Sequence, residues 1–329
     1  MEDSELGFSL WLDFVERDFL KNDFEALLKQ NIIKGATSNP AIFASAITSS
    51  SAYKEQLATL RDKSPKEKYE VLAIEDITLA ARKLRHIYEE GRDGYISIEV
   101  DPFLSDDLAG TVAEAQRLFT AINEPNVMIK VPATEAGYGA MTELLSRGIS
   151  VNATLVFSPD QAQKCLDAIR HGLQQAEQNG RVDAVISVFV SRFDRLLDPL
   201  LEAHGITPSR TGILNAAKIY ALIEQGQLPS VRTLFASTGV KGDGLSADYY
   251  IRELLAAHSV NTAPLATIEA YAKEPKPIPK LPVSADEIDG YFELIASKGI
   301  DMDEVYGRLI REGLEAFENS FGEMLKSIQ

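Results

Sequence analysis

VMIKVPATEAGYGAMTELLSRGISVNATLVFSPDQAQKCLDAIRHGLQQAEQNGRVDAVISVFV, residues 127–190, carries the rhythm from which the fold is read. Three short β-rich runs, Val127 to Val131, Ser150 to Leu155 and Ala184 to Phe189, alternate with longer helical stretches, the pattern of parallel β/α units. The rhythm continues on both sides of this stretch. Ser9 to Asp13, Lys34 to Ser38 and Ile96 to Val100 precede it, and Thr233 to Ser237 and a weaker run near Val260 to Thr262 follow it, giving eight strands. Eight strands with intervening helices favour a closed (β/α)8 TIM barrel, because closure removes both sheet edges and gathers eight strand ends at one rim. An open dinucleotide-binding sheet loses its best witness, since no Gly-x-Gly-x-x-Gly turn follows the first strand.

Side chains that accept the free N–H groups of a first turn mark the helix starts. Ser64 with Glu67, Ser158 with Gln161 and Ser284 with Glu287 fit the capping box, and Pro65 and Pro159 stand where proline loses no hydrogen bond. The first of these helices is expected over Pro65 to Glu90, stopping before Gly91. KEPKPIPKLPV, residues 273–283, has four prolines and is expected to be an extended crossing segment. Beyond it, Tyr306, Ile310, Leu314, Phe317, Phe321 and Leu325 recur at helical spacing. The chain is therefore read as a single barrel domain over residues 1–329, with residues 284–329 forming C-terminal helices packed on the barrel.

With 329 residues, 45% apolar and 25% charged, the composition is ordinary globular material. A net charge of −16 opposes nucleic acid and anionic membranes, although a few cations in a cleft can still hold an anionic substrate. Cys165 is the only cysteine, so no intrachain disulfide forms, and it is expected as a core thiol within a helix. No secretion signal and no spanning apolar run are present, so the cytoplasm is the expected location. His86, His171, His204 and His258 are scattered, so neither a metal nor any other cofactor is expected.

Several strands end on polar residues in apolar surroundings: Asp13, Asn39, Glu99, Lys130, Asn152, Thr154, Ser187 and Ser237. Burying any one of these without partners is costly, whereas around a barrel mouth they satisfy one another. Apolar neighbours Met128, Ile129 and Val131 disfavour an ammonium at Lys130. A neutral amine attacks a ketone, and the iminium formed is an electron sink for breaking a carbon–carbon bond; an ion pair or phosphate contact is the alternative role. Glu99, through a water held by Thr154, suits the proton transfers of carbinolamine chemistry, and Asp13 suits removal of a substrate hydroxyl proton. Asn39 and Asn152 either satisfy local backbone or hold substrate hydroxyls. Arg192 and Lys241 follow the sixth and seventh strands, where barrels often hold phosphate. Arg195 is a weaker candidate that Asp198 can pair. Trp11 is expected in the core, and Phe189 either there or walling the cleft.

GATSNPAIF, SIEVDP, VMIKVPAT, ISVNATLVFS, VISVFVSRFD and ASTGVK, in this order and separation, resemble the transaldolase family from Ser9 to about Leu265. The resemblance implies an α/β barrel with its Schiff-base lysine at Lys130, a general acid/base at Asp13, the family's glutamate at Glu99 and the water-positioning threonine at Thr154. It further implies substrate-facing or supporting roles for Asn39, Asn152 and Ser187, with Phe189 nearby, and a phosphate region at Arg192 and Ser237. The implied reaction moves dihydroxyacetone from sedoheptulose 7-phosphate to glyceraldehyde 3-phosphate, in the pentose phosphate pathway; monomer and homodimer are both open from the sequence. A simple sugar-phosphate aldolase and a non-catalytic sugar-phosphate sensor are the alternatives. Two departures stand out. Gly239 and then Lys241 replace an arginine of the better-known branch, and the connection from Asp13 to Asn39 is longer, which reshapes the entrance.

Overall fold

The computed structural model of the chain describes residues 6–176, 180–241, 244–274 and 278–329. Eight parallel strands form a closed barrel in chain order: β1 (Ser9–Leu12), β2 (Gly35–Thr37), β3 (Ile96–Glu99), β4 (Val127–Pro132), β5 (Val151–Val156), β6 (Ala184–Phe189), β7 (Val231–Ala236) and β8 (Ser259–Ala263). All eight runs read from the sequence are strands. Asp13 and Ser237 fall one residue beyond their strands, but the Asp13 N–H still continues the ladder to the Ala263 carbonyl at 2.9 Å.

Because successive strand residues point to opposite faces, the apolar residues divide into two cores. Ile129, Val131, Val151, Ala153 and Ile186 belong to the layer between barrel and helices. Met128, Leu155, Val185, Leu234 and Val260 fill the barrel itself, which is a packed core rather than a pore. Trp11, fully buried as expected, donates its indole N–H to Asp93 at 2.9 Å, and Arg232 grips the same carboxylate with two bonds of 2.9 and 3.1 Å. Gly35 makes room for that indole, since a Cβ there would stand 2.6 Å from the ring.

The helix Pro65–Glu89 begins with a complete capping box at Ser64 and Glu67 and is followed by Gly91 at φ 71°. Its inner face buries Leu72, Ile77 and Leu84, each contributing about 1.5–3 kcal/mol relative to exposure. Ser158 and Gln161 also form a full box. At Ser284 only half of the expected box is present: Ser284 accepts from the Glu287 N–H, while the Glu287 carboxylate is drawn to Arg210 at 2.8 Å. The long first connection folds into two short helices, Arg17–Lys21 and Phe24–Lys29. Buried Arg17 docks them through Asp76 on the Pro65–Glu89 helix at 2.8 Å. Cys165 is fully buried.

Within the proline-rich segment, residues 275–277 lie outside the described residues; Ile278 beyond them is 80% exposed. No helix among the described residues is long and apolar enough to cross a membrane. The C-terminal helix Met302–Ser327 packs on the barrel, but its buried stripe differs from the one read in the sequence. Val305, Leu309, Gly313, Phe317, Phe321 and Met324 face inward, leaving Tyr306, Ile310, Leu314 and Leu325 half-buried on the flank. The reason is a close approach at Gly313, where a Cβ would lie 3.1 Å from Leu155 and 3.2 Å from Arg192. Phe321 stacks edge-on against Tyr69, and Lys68 donates to the Ile328 carbonyl at 2.9 Å. The helix thereby lies over the barrel mouth at the C-terminal ends of the strands.

Candidate active site

Register decides which polar residues meet. On β3 and β4, Glu99 pairs directly with Lys130, and Lys130 pairs on its other side with Asn152 of β5. Lys130 Nζ stands 3.3 Å from Glu99 Oε2 and 3.4 Å from the Ser38 carbonyl, with both side chains buried. Burial pushes the Glu99 carboxyl up to about 7 against the pull of Lys130, and the charge of Asp13 adds to the rise. Burial also raises the Asp13 carboxyl, opposed by Lys130 and by a 2.7 Å hydrogen bond donated by Thr37. Two carboxylates thus share the field of one lysine, and both hold protons more tightly than exposed acids.

The Ser187 hydroxyl donates to Asn152 Oδ1 at 2.6 Å, and Asn152 Nδ2 donates to Ser97 Oγ at 3.0 Å. This chain crosses three strands beside Lys130 and fixes the amide's orientation. Thr154 Oγ1 is buried and makes no hydrogen bond among the described residues. Just after it, Leu155 takes φ 56° where the β5–β6 register shifts, an uncommon conformation for leucine that marks a locally constrained rim. Asn39 caps the helix Pro40–Ser49 by accepting from the Ile42 N–H at 3.0 Å, so its oxygen fills the local role.

Beside this cluster a cavity of about 600 Å³ opens between Asp13, Arg192, Ser237, Lys241 and the C-terminal helix. Arg192 is the second residue of the helix Ser191–Ala203. Its guanidinium lies 5.1 Å from the Phe189 ring and 6.0 Å from Phe157, so Phe189 supports the arginine from within the core. Burial and the neighbouring Arg195 lower the Arg192 guanidinium, partly offset by Glu312. Ser237, at φ 56°, places its hydroxyl 3.0 Å from that of Ser191. Arg195 does not take the expected partner: Asp198 accepts instead from the Ser209 N–H and hydroxyl, and Arg195 lines the cavity. Lys241 lines it as well.

Sequence reasoning missed the contribution of the C-terminal helix. Phe317 sets its ring 5.6 Å from Lys130 Nζ, and Arg308 and Glu312 line the cavity with Arg192. Periodicity shows that such a helix has an inner face but not what that face meets. Thr37 and Ser191 were missed too, although each adjoins a strand end, because hydroxyls there are common.

A model of the transaldolase/fructose-6-phosphate aldolase family matches residues 10–328. A transaldolase of Helicobacter pylori (strain ATCC 700392 / 26695) is 45% identical over 321 residues, 97% of this chain and 99% of that protein. One from Campylobacter jejuni (strain RM1221) is 48% identical over 331 residues, 98% of this chain and 99% of that protein. With a buried lysine–glutamate pair at the mouth of a closed (β/α)8 barrel and a match that runs through the C-terminal helix, the chain belongs to the transaldolase/fructose-6-phosphate aldolase family.

Proposed function

We propose that this enzyme transfers a dihydroxyacetone unit from sedoheptulose 7-phosphate to glyceraldehyde 3-phosphate through a Schiff base on Lys130. The observation that carries this reading is the 3.3 Å approach of Lys130 Nζ to Glu99 Oε2 in a buried pair beside a cation-lined cavity. Glu99 takes a proton from Nζ, which frees the amine to attack the C2 carbonyl of the ketose. A water held by Thr154 relays a second proton from the attacking nitrogen to the alkoxide to give the carbinolamine, and the proton held by Glu99 then passes to its hydroxyl, which leaves as water. Asp13 then removes the proton of the C4 hydroxyl, the C3–C4 bond breaks and its electrons flow into the iminium. The aldose leaves, and the three-carbon enamine remains on Lys130 until an aldehyde acceptor arrives.

Asn152, Ser187 and Asn39 hold substrate hydroxyls, while Arg192, Ser237 and Lys241 hold phosphate. Transfer rather than simple aldol cleavage is favoured by the burial of Lys130, 5% exposed, beneath Phe317, because the enamine must survive water until the acceptor binds. In this reading the C-terminal helices belong to the same catalytic domain as the barrel, and the enzyme works in the cytoplasm.

Borohydride reduction in the presence of a ketose phosphate tests the assignment, with peptide mass spectrometry locating the adduct. A three-carbon adduct on Lys130, absent from Lys130→Met, is expected; an adduct on another lysine rejects it. Donor cleavage at equal rates with and without acceptor would identify a simple aldolase instead.

A further inference from the structure

Among the described residues, four cations line the cavity beside Ser237: Arg192, Arg195, Lys241 and Arg308. The first three follow β6 and β7, whereas Arg308 comes from the far end of the sequence, on the C-terminal helix. Next to Ser237 the chain supplies no arginine. Gly239 packs against Pro264, so close that a Cβ would stand 3.2 Å from the proline ring, and the first cation after it is the exposed Lys241. Arg308 Nε is held 2.6 Å from Glu312 Oε1, one turn on. The charge of Glu312 also reaches Arg192, opposing the effects of burial and of Arg195 on that guanidinium. One carboxylate therefore serves as counter-ion to cations from two different elements facing the same cavity.

We propose that Arg308 reads the substrate phosphate and that Glu312 is its built-in counter-ion, exchanged for phosphate when the sugar binds. The proposal rests on the reading of this cavity as the phosphate site. Glu312 offers Arg308 a carboxylate acceptor in the free enzyme, and a phosphate dianion offers more charge and three acceptor oxygens to the same fork. The pair is accessible on both sides, with side chains 56% and 48% exposed, so the exchange requires only side-chain rotation. The same helix reaches the reacting amine. Phe317, nine residues after Arg308, covers Lys130. That spacing is about 13.5 Å along the axis and about half a turn around it, so one helix reaches both the reacting amine and the cavity, with Arg308 on its exposed flank rather than on the face of Phe317. A surface ion pair with no further role would have no reason to respond to phosphate.

Arg308→Ala, Arg308→Lys and Glu312→Gln, with Arg192→Ala as reference, are compared with glyceraldehyde 3-phosphate and with glyceraldehyde as acceptors, and inorganic phosphate is titrated as a competitive inhibitor. Arg308→Ala is expected to raise the KM for the phosphorylated acceptor and the Ki of inorganic phosphate about tenfold, the loss of one charge-assisted contact, with a smaller proportional loss on glyceraldehyde. Arg308→Lys should fall between. Glu312→Gln should tighten inhibition by inorganic phosphate. An unchanged phosphate Ki in Arg308→Ala, or equal losses on both acceptors, overturns the proposal while Arg192→Ala still shows a phosphate-selective loss. If Arg192→Ala also loses equally on both acceptors, the phosphate reading of the cavity itself falls, and this proposal with it.

Discussion

Replacing Glu99 by glutamine keeps the shape of the side chain and removes its ability to accept the proton of Lys130. In the wild type, burial holds the Glu99 carboxyl near pH 7, against 4.5 in an ordinary environment, so the group is largely protonated in mildly acidic buffer. Since it must be ionised to take up the proton from Nζ, kcat/KM for the ketose donor should rise with pH through about 7. Glu99→Gln should lower kcat by about 10²- to 10⁴-fold, the usual range for a positioned acid/base, and erase that limb. Stability gives a second readout. A carboxyl raised in the folded state binds a proton that the unfolded chain releases, so its contribution falls as pH rises from about 4.5 to about 7 and is level above. The shift corresponds to roughly 3 kcal/mol, and over this window urea-unfolding free energy should decline less in Glu99→Gln than in the wild type. A mutant that keeps kcat within about tenfold of wild type and retains a limb near pH 7 would refute the assignment and point to Asp13 as the titrating group.

Arg192→Ala should raise the KM values for phosphorylated donor and acceptor and lower turnover, by about 10- to 150-fold in kcat/KM, while Lys241→Ala loses less; steady-state kinetics on both substrates checks the ranking. Gly313→Leu forces a side chain into the gap against Leu155 and Arg192, and should lower thermal stability by about 1–3 kcal/mol and activity with it. Phe317→Ala uncovers Lys130, and donor cleavage measured without acceptor should rise relative to transfer as water reaches the enamine. Arg232→Ala leaves Asp93 charged and buried at the opposite end of the barrel, costing about 3–5 kcal/mol in urea unfolding, with the Michaelis constants of the folded enzyme unchanged.

Local chemistry made much of this molecule readable. The β-rich runs, the capping serines at Ser64 and Ser158, and Gly91 after the first long helix act over a few residues, so sequence by itself determined the strands, their number and most helix boundaries. It also singled out Lys130, Glu99 and Asp13, because a polar residue in an apolar strand must find a partner when buried. The partners themselves were set by tertiary structure. Which carboxylate meets the lysine depends on the β3–β4 register, and the same packing draws Glu287 to Arg210 and leaves Asp198 to Ser209 rather than Arg195. The C-terminal helix shows the division most sharply. Its periodicity announced an apolar face, but the absent side chain at Gly313 rotates that face, laying Phe317 over Lys130 and leaving Arg308 on the flank at the cation-lined cavity. These contacts join residues far apart in the chain, and only the closed barrel, by gathering eight strand ends at one mouth, gives such a helix a common surface to read.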